Sequence, residues 1–382
     1  MNLKPLNFER FKYFFLIFAC FFYRLNTEIF SLSPTVDKQE ENSRGLDRWQ
    51  MTDFVWGLGM ASQSDKGLEK NPKKFLQTYR KTFFKKENFK NLQSGDIIWM
   101  QCIAIEKFQK EILPSVKVPI VVVISQGDES FPSDISIDVE SFLSNPNILH
   151  VFAQNCNYSG PSSKVSHLPI GMNFHSLAYK DGLNYKGDRL GEVASPKKQE
   201  NELKNLLNTL KPTHLRKQRA FVDFHLSDTI RNLYLKRYLT TEDRTTIFNI
   251  LLPANVMDYA SDRMKRYDLW AIKGEYAFSI SPHGNGLDCY RTWEDLILGC
   301  IVIVKTSALD PMYEGLPVVI VKEWSDITQE NLKIWLDQYG DAFTNLSYRE
   351  KLTNAYWLNK IWSIANPYRE VAKSTKELGE NK

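Results

Sequence analysis

The stretch YAFSISPHGNGLDCYRTWEDLILGCIVIVKTSALDPMYEGLPVVIV, Tyr276 to Val321, joins a strand, a glycine loop, a helix and two further strands. A strand that runs through such a loop into a helix aims orphan backbone N–H groups and the positive end of the helix dipole at whatever lies over the loop, which favours a phosphate or diphosphate. Gly284 and Gly286 can take positive φ and leave room for a ligand against the backbone. Asp288 stands where the helix N-cap is expected. At 3.6 residues per turn Cys289, Trp293, Leu296, Ile297 and Cys300 form one stripe, the core side. Arg291 and Glu294 fall off that stripe, three residues apart, so both can sit at the loop mouth. There Arg291 would offer a fork of donors to phosphate oxygens and Glu294 a carboxylate to ribose hydroxyls. The same spacing also describes a surface ion pair worth about 0.2 to 0.5 kcal/mol.

Outward from this stretch the alternation continues. RAFVDFHL from Arg219 reads as a strand and Thr229 to Tyr238 as a helix. Asp96–Cys102, Pro119–Ser125, Ile148–Gln154 and His167–Gly171 read as apolar strands of an earlier unit, and a near-continuous run such as PIVVVIS suggests a parallel sheet covered on both faces. Strand, helix, strand order in both halves is the grammar of doubly wound α/β domains, whose ligands bind outside the carboxyl ends of the strands. A chain of 382 residues exceeds what one core usually organises. The charged segment Asp188 to Lys217, with Pro196 and Pro212, reads as the interdomain stretch, helical over Gln199 to Leu210. The organisation expected is therefore a domain over 49–195, a second over 196–347, a closing helix over 348–376 packed through Trp357, Ile361 and Trp362, and a tail over 377–382.

SPHGNGLDCYRTWEDLILGCIVIVKTSALDPMYEGLPVVIVKEWSDIT, Ser281 to Thr328, resembles the C-terminal signature of exostosin-type glycosyltransferases, in the branch that contains the ribitol xylosyltransferase-like proteins; HLPIGMNFHSL, His167 to Leu177, is a fainter echo. The resemblance implies an α/β fold that is GT-B-like, two Rossmann-like domains facing a cleft, with a nucleotide sugar held by the C-terminal domain through Ser281, Gly284, Asn285, Gly286, Arg291 and Glu294. It further implies that the closing helix leans back onto the N-terminal domain. Asn173 departs from the pattern, which would place an aspartate there.

Transfer of a sugar with inversion needs a base for the acceptor hydroxyl and positive charge for the leaving diphosphate. Arg291 and the helix N-terminus suit the second task. Asp128, directly after PIVVVIS, and His175, in GMNFHSL, are the candidates for the first; each could equally be a turn or structural residue. Thr306 and Ser307 follow IVIVK and could bond base, ribose or phosphate, or cap the following turn. No D-x-D triplet occurs in the chain, which favours a metal-independent arrangement with no cofactor beyond a donor of UDP-sugar type. The partners expected are a nucleotide sugar and a glycan or glycolipid acceptor. The alternative is a non-catalytic nucleotide-sugar or glycan-binding protein on the same scaffold, for which Asn173 is the motivating residue.

Composition is that of an ordinary globular protein, 43% hydrophobic and 25% charged. A net charge of +4 and a pI near 8.6 come without a dense basic stripe or a reader motif, which argues against nucleic acid. Residues 1–33 differ: basic residues precede the apolar run Tyr13 to Tyr23, which reads as a signal or membrane-anchor segment, followed by a linker over 34–48. This places the chain at a membrane or in the secretory pathway or cell envelope, with a cytoplasmic aromatic helix as the alternative. Lys70 to Lys90 carries Phe75, Tyr79 and Phe83 at helical spacing among basic residues, an amphipathic helix facing either the sheet or an anionic surface. The five cysteines form no C-x-x-C pair, and Asn157 and Asn345 begin N-x-S/T triplets.

Overall fold

In the computed structural model the described residues are 52–67, 86–178, 191–192, 194–224, 226, 244–260, 264–344 and 347–380. The leader, its apolar run 13–23, the linker, most of the Lys70–Lys90 segment, the helix read over Thr229–Tyr238 and Asn345 lie outside them. No described helix is long and apolar enough to cross a membrane.

Four parallel strands make the first sheet: β1 Asp96–Met100, β2 Ile120–Ile124, β3 Ile148–Ala153 and β4 Val165–His167, in the order β1-β2-β3-β4. Every residue of β1 and β2 is buried, as the unbroken apolar runs require of a sheet covered on both faces. Helix α1 Gly57–Ser62 precedes the sheet; α2 Ile105–Glu111 and α3 Val139–Ser144 supply part of that cover, and Phe108, Phe131 and Phe142 fill the core with Ile98, Val122 and Val151. The strand order advances in one direction, so among the described strands of this half no reversal occurs. β4 ends at His167 rather than running to Gly171, because Pro169 has no N–H to give a ladder.

The second sheet, also parallel, contains β5 Lys217–Val222, β6 Met257–Tyr259, β7 Tyr276–Ile280, β8 Ile301–Lys305 and β9 Val318–Val321, in the order β6-β5-β7-β8-β9. Direction reverses between β5 and β7. In open α/β sheets that switch point leaves a crevice beyond the carboxyl ends of the two strands, and the glycine loop after β7 lies at it.

Between the sheets run α4 His175–Ala178 and α5 Pro196–Leu207. α5 begins ahead of the Gln199 expected because the Ser195 hydroxyl accepts from Lys198 N at 3.2 Å and Pro196 fills the first turn, where its missing N–H costs nothing. After β5 come α6 Arg244–Leu251, α7 Arg266–Lys273, α8 Tyr290–Ile297 and α9 Gln329–Tyr339, then a short α10 Ser347–Glu350 and the closing helix α11 Asn354–Glu380. α11 packs on β1, β2 and β3, with Trp357, Leu358, Ile361 and Ala365 buried, and Arg369 donates to Gly95 O at 2.9 Å and pairs with Asp65. It begins at Asn354, not Tyr348, because Asn354 is committed elsewhere: its amide donates to Thr52 O (2.8 Å) and Phe54 O (2.9 Å) and accepts from Trp56 N (3.2 Å). Glu200, wholly buried on α5, accepts from Asp53 N and Phe54 N at 2.6 and 2.8 Å.

The carboxyl ends of the two sheets meet. His167 Nε2 lies 2.8 Å from Ala308 O, Ile170 N donates to Asp288 at 2.8 Å, and Asn285 donates to Asp128 at 3.1 Å. The architecture is GT-B-like, two Rossmann-like α/β halves facing a cleft. Truncating Asn354 to Ala would strand the Thr52 carbonyl and the Trp56 N–H, while Phe54 O keeps the Thr52 hydroxyl, so urea unfolding of Asn354→Ala should show a loss of about 2 to 3 kcal/mol, against about 0.5 or less for the exposed Ser363→Ala on the same helix.

Candidate functional site

The glycine loop leaves β7 at Ser281, whose hydroxyl lies 2.9 Å from the Thr292 hydroxyl and so ties the loop to α8. Neither Gly284 nor Gly286 has a left-handed φ. Space, not backbone freedom, requires glycine at 286, where a Cβ would meet Asn155 Nδ2 at 2.6 Å and the Asp128 carbonyl at 2.8 Å; at Gly284 a Cβ would lie 3.1 Å from Cys289 Sγ, a tight fit that a small shift of that side chain relieves. Arg244, at the start of α6, holds the loop from beside it, donating to His283 O from Nε (3.2 Å) and Nη2 (2.9 Å).

The N-cap of α8 is Cys289, and no side chain caps it. Asp288 is instead drawn inward, 3% exposed, where its carboxylate accepts from Trp293 Nε1 (2.9 and 3.0 Å), Cys289 N (2.9 Å) and Ile170 N (2.8 Å). Burial lifts its pKa to about 7 against the pull of these donors. With no carboxylate over the first turn, the dipole end of α8 stays open to an external anion. Trp293, Leu296, Ile297 and Cys300 are buried as the stripe predicts, while Cys289 is partly exposed.

Arg291 does not pair with Glu294. It reaches across the switch point to Asp223, the residue after β5, and the two are in hydrogen-bond contact. Asp223 also takes Lys273 Nζ at 2.8 Å, and Lys273, wholly buried on α7, bonds Asp295 of α8 at 2.9 Å, which in turn is bonded by Ser279 of β7. Burial works to raise the Asp223 carboxyl, but Lys273 and Arg291 outweigh it and hold the group far below the usual range. Asp295, as deeply buried and with less cationic help, is pushed up to about 6. Arg291 spends Nε on Asp223 and its guanidinium lies 5.8 Å from the Phe224 ring centroid, with Arg244 at 5.9 Å from the same ring. Its Nη1 is buried without a hydrogen-bond partner among the described residues. A buried, unpaired guanidinium N–H beside an open helix end is costly unless a ligand takes it. Glu294 sits one turn deeper, 9% exposed, accepting from Trp270 Nε1 at 3.3 Å. It belongs to the floor of the crevice, not its mouth.

The first sheet supplies the opposite wall. Asp128 is exposed on the loop after β2 and accepts from Asn285 of the glycine loop. His175 opens α4 with its ring 5.3 Å from that of Tyr290, the first residue of α8, and its Nδ1 is buried with no partner among the described residues. Burial, helped by Arg266, lowers its pKa to about 4, so it is neutral at pH 7 and Nδ1 or Nε2 can accept. Asn173 turns out to have a local task, its Oδ1 taking Ser176 N (3.3 Å) and Ser176 Oγ (2.7 Å) at the start of α4. Thr306 and Ser307 are occupied by the turn after β8: Thr306 Oγ1 donates to Asp310 at 2.6 Å and Ser307 N to the same carboxylate at 2.9 Å.

The structure thus gathers Ser281, Gly284, Asn285, Gly286, Arg291, Asp128 and His175 around the glycine loop, puts Glu294 below it and leaves Thr306 and Ser307 in a turn. Sequence reasoning missed Asp223, Lys273, Arg244 and Asn155. None of the four carried a usable signal, because each takes its place from pairing between segments far apart in the chain.

No family model matches the chain, and no curated protein does. Among solved structures it is similar to a UDP-forming α,α-trehalose-phosphate synthase from Burkholderia xenovorans, at 11% identity over 76% of this chain and 75% of that one with a TM-score of 0.30. It is similar too to the trehalose-6-phosphate protein from E. coli bound with UDP-2-fluoro glucose (11%, 74% of each chain, TM-score 0.30). A third is the pneumococcal O-GlcNAc transferase GtfA in complex with UDP and GlcNAc (10%, 76% of this chain and 57% of that one, TM-score 0.28). At such values the likeness concerns the fold, and the fold rests on the strand order and contacts above.

Two measurements check this electrostatic picture. Lys273→Met leaves two buried carboxylates without their shared cation and should cost about 3 to 5 kcal/mol by chemical denaturation. His175 is depressed to about 4 in the folded chain against 6.5 when unfolded, so between those values the unfolded state binds the extra proton and stability falls as pH falls. Urea melts from pH 6.5 to 4 should show the unmodified protein losing up to about 1.4 kcal/mol per pH unit more than His175→Asn.

Proposed function

We propose that the chain is a glycosyltransferase that moves a sugar from a nucleotide-diphosphate donor to a hydroxyl of a glycan or glycolipid, with inversion and without a metal. The observation that carries this reading is the buried, unpaired Nη1 of Arg291 at the open end of α8, on the switch point of a doubly wound sheet. An anionic ligand with several oxygens satisfies that N–H and the helix end together. The resemblance of Ser281–Thr328 to the exostosin-type enzymes supports the same assignment and adds the inverting class.

Asp128 is the base in this reading. Its carboxylate takes the proton of the acceptor hydroxyl as that oxygen attacks the anomeric carbon; the bond from that carbon to the diphosphate oxygen breaks, and the diphosphate leaves with the electron pair. Arg291 and the N-terminus of α8 stabilise the charge that develops on it. His175, neutral and without a partner for Nδ1 among the described residues, hydrogen-bonds substrate from the opposite wall. The non-catalytic alternative loses its motivation, since Asn173 caps α4 where a carboxylate would serve as well.

Calorimetry with UDP, GDP and ADP, and thermal melts in their presence, test the donor site. One nucleotide at 100 times its Kd should stabilise the protein by about 2.7 kcal/mol, and Arg291→Ala should abolish the effect while staying folded. Asp128→Asn should bind the same nucleotide normally and lose about 10²- to 10⁴-fold in turnover of the matching nucleotide sugar. A folded protein that binds none of the three ends this reading.

A further inference from the structure

Asn155 follows β3 with a left-handed backbone, φ 51°, and is 1% exposed. Asparagine is among the few residues other than glycine that adopt this conformation readily. Its amide is used at both ends. Oδ1 accepts from Asp288 N at 2.8 Å, at the end of the glycine loop, and Nδ2 donates to Gly127 O (3.2 Å) and Glu129 O (3.5 Å), the carbonyls on either side of Asp128. The residue's own carbonyl accepts from Phe131 N at 3.1 Å, beyond the same loop. Gly286 lies so close to the amide that a Cβ would sit 2.6 Å from Nδ2. A task that needs one acceptor and two donors on a short side chain is met by a primary amide and not by aspartate, serine or threonine.

We propose that Asn155 is a positioning residue of the reaction: alongside the Asn285–Asp128 bond it fixes the Asp128 loop against the glycine loop, so that base and leaving group are held in register although they belong to different halves. This rests on the reading of those two loops as base and donor sites. Asn155 touches neither substrate. It acts by keeping the distance between Asp128 and the diphosphate loop constant, and a displacement of about 1 Å between reacting groups costs about 10²-fold in rate.

The test uses the full chain and three variants: Asn155→Gly, which keeps the left-handed backbone and removes the amide, Asn155→Asp, which keeps the acceptor and removes the donors, and Gly286→Ala, which pushes the loops apart from the other side. UDP affinity is measured by calorimetry, kcat and KM by UDP release from a panel of UDP-sugars, and loop coupling by hydrogen exchange over 127–131 and 284–289. In the expected result both Asn155 variants bind UDP within about threefold of the unmodified protein. Asn155→Gly loses about 10- to 100-fold in kcat with KM for the donor little changed, Asn155→Asp falls between, Gly286→Ala loses kcat whatever its effect on UDP affinity, and both loops gain exchange together. A kcat within twofold in Asn155→Gly, or faster exchange confined to one loop, overturns the proposal while leaving the donor site intact. If the unmodified protein binds none of UDP, GDP and ADP, the functional reading fails and takes the positioning role with it; where GDP or ADP is the nucleotide bound, it and its sugars replace UDP and the UDP-sugars in these measurements.

Discussion

The ammonium of Lys273 is sealed from water between two carboxylates, and the candidate site is built around that fact. Burying a cation costs several kcal/mol before any pairing, so Asp223 and Asp295 must both be in place, and they come from different elements, the end of β5 and the second turn of α8. Ser279 of β7 closes the set. The two strands that flank the switch point and the helix after it are thereby locked in register by charge. Arg291 shares Asp223 with the lysine, so its orientation is inherited from the same lock. Its Nη1 is left without a hydrogen-bond partner among the described residues, and with the open end of α8 and Arg244 the guanidinium supplies the local positive potential for an anion.

The opposite wall is held by shape and amide chemistry. Gly286 is pressed against Asn155, Asp288 is pulled into the seam, and His167 meets the Ala308 carbonyl on the far side of β8. These contacts are short-range and directional. The seam closes only when loops from both sheets reach their final conformation, whereas each sheet has a core of its own.

Strands were legible wherever burial is two-sided: PIVVVIS and IVIVK are strands because continuous apolar runs have no other use at that length. The switch point was not legible, since strand order depends on pairing between segments far apart in the chain. The positive φ expected of the glycine loop did not hold; Gly286 serves contact with Asn155 and Asp128, more than 120 positions upstream, which periodicity cannot show. Arg291 was found because its helix face set it apart from the core stripe. Asp223 and Lys273 were invisible as a pair, since nothing in RAFVDFHL or DLWAIKG marks either charge as buried. Asp288 read as a cap because local chemistry favours that role, and tertiary packing against Trp293 and Ile170 overrode it.

The chain passes between the halves more than once: before α5, and again where α11 leaves the second half to lie on β1, β2 and β3. Both crossings are fastened to the same few residues, Thr52 to Trp56, one through Glu200 and the other through Asn354. Residues 52–56 are therefore a common fastening: a change in their backbone would release α5 and α11 together, although the two helices lie far apart in the chain.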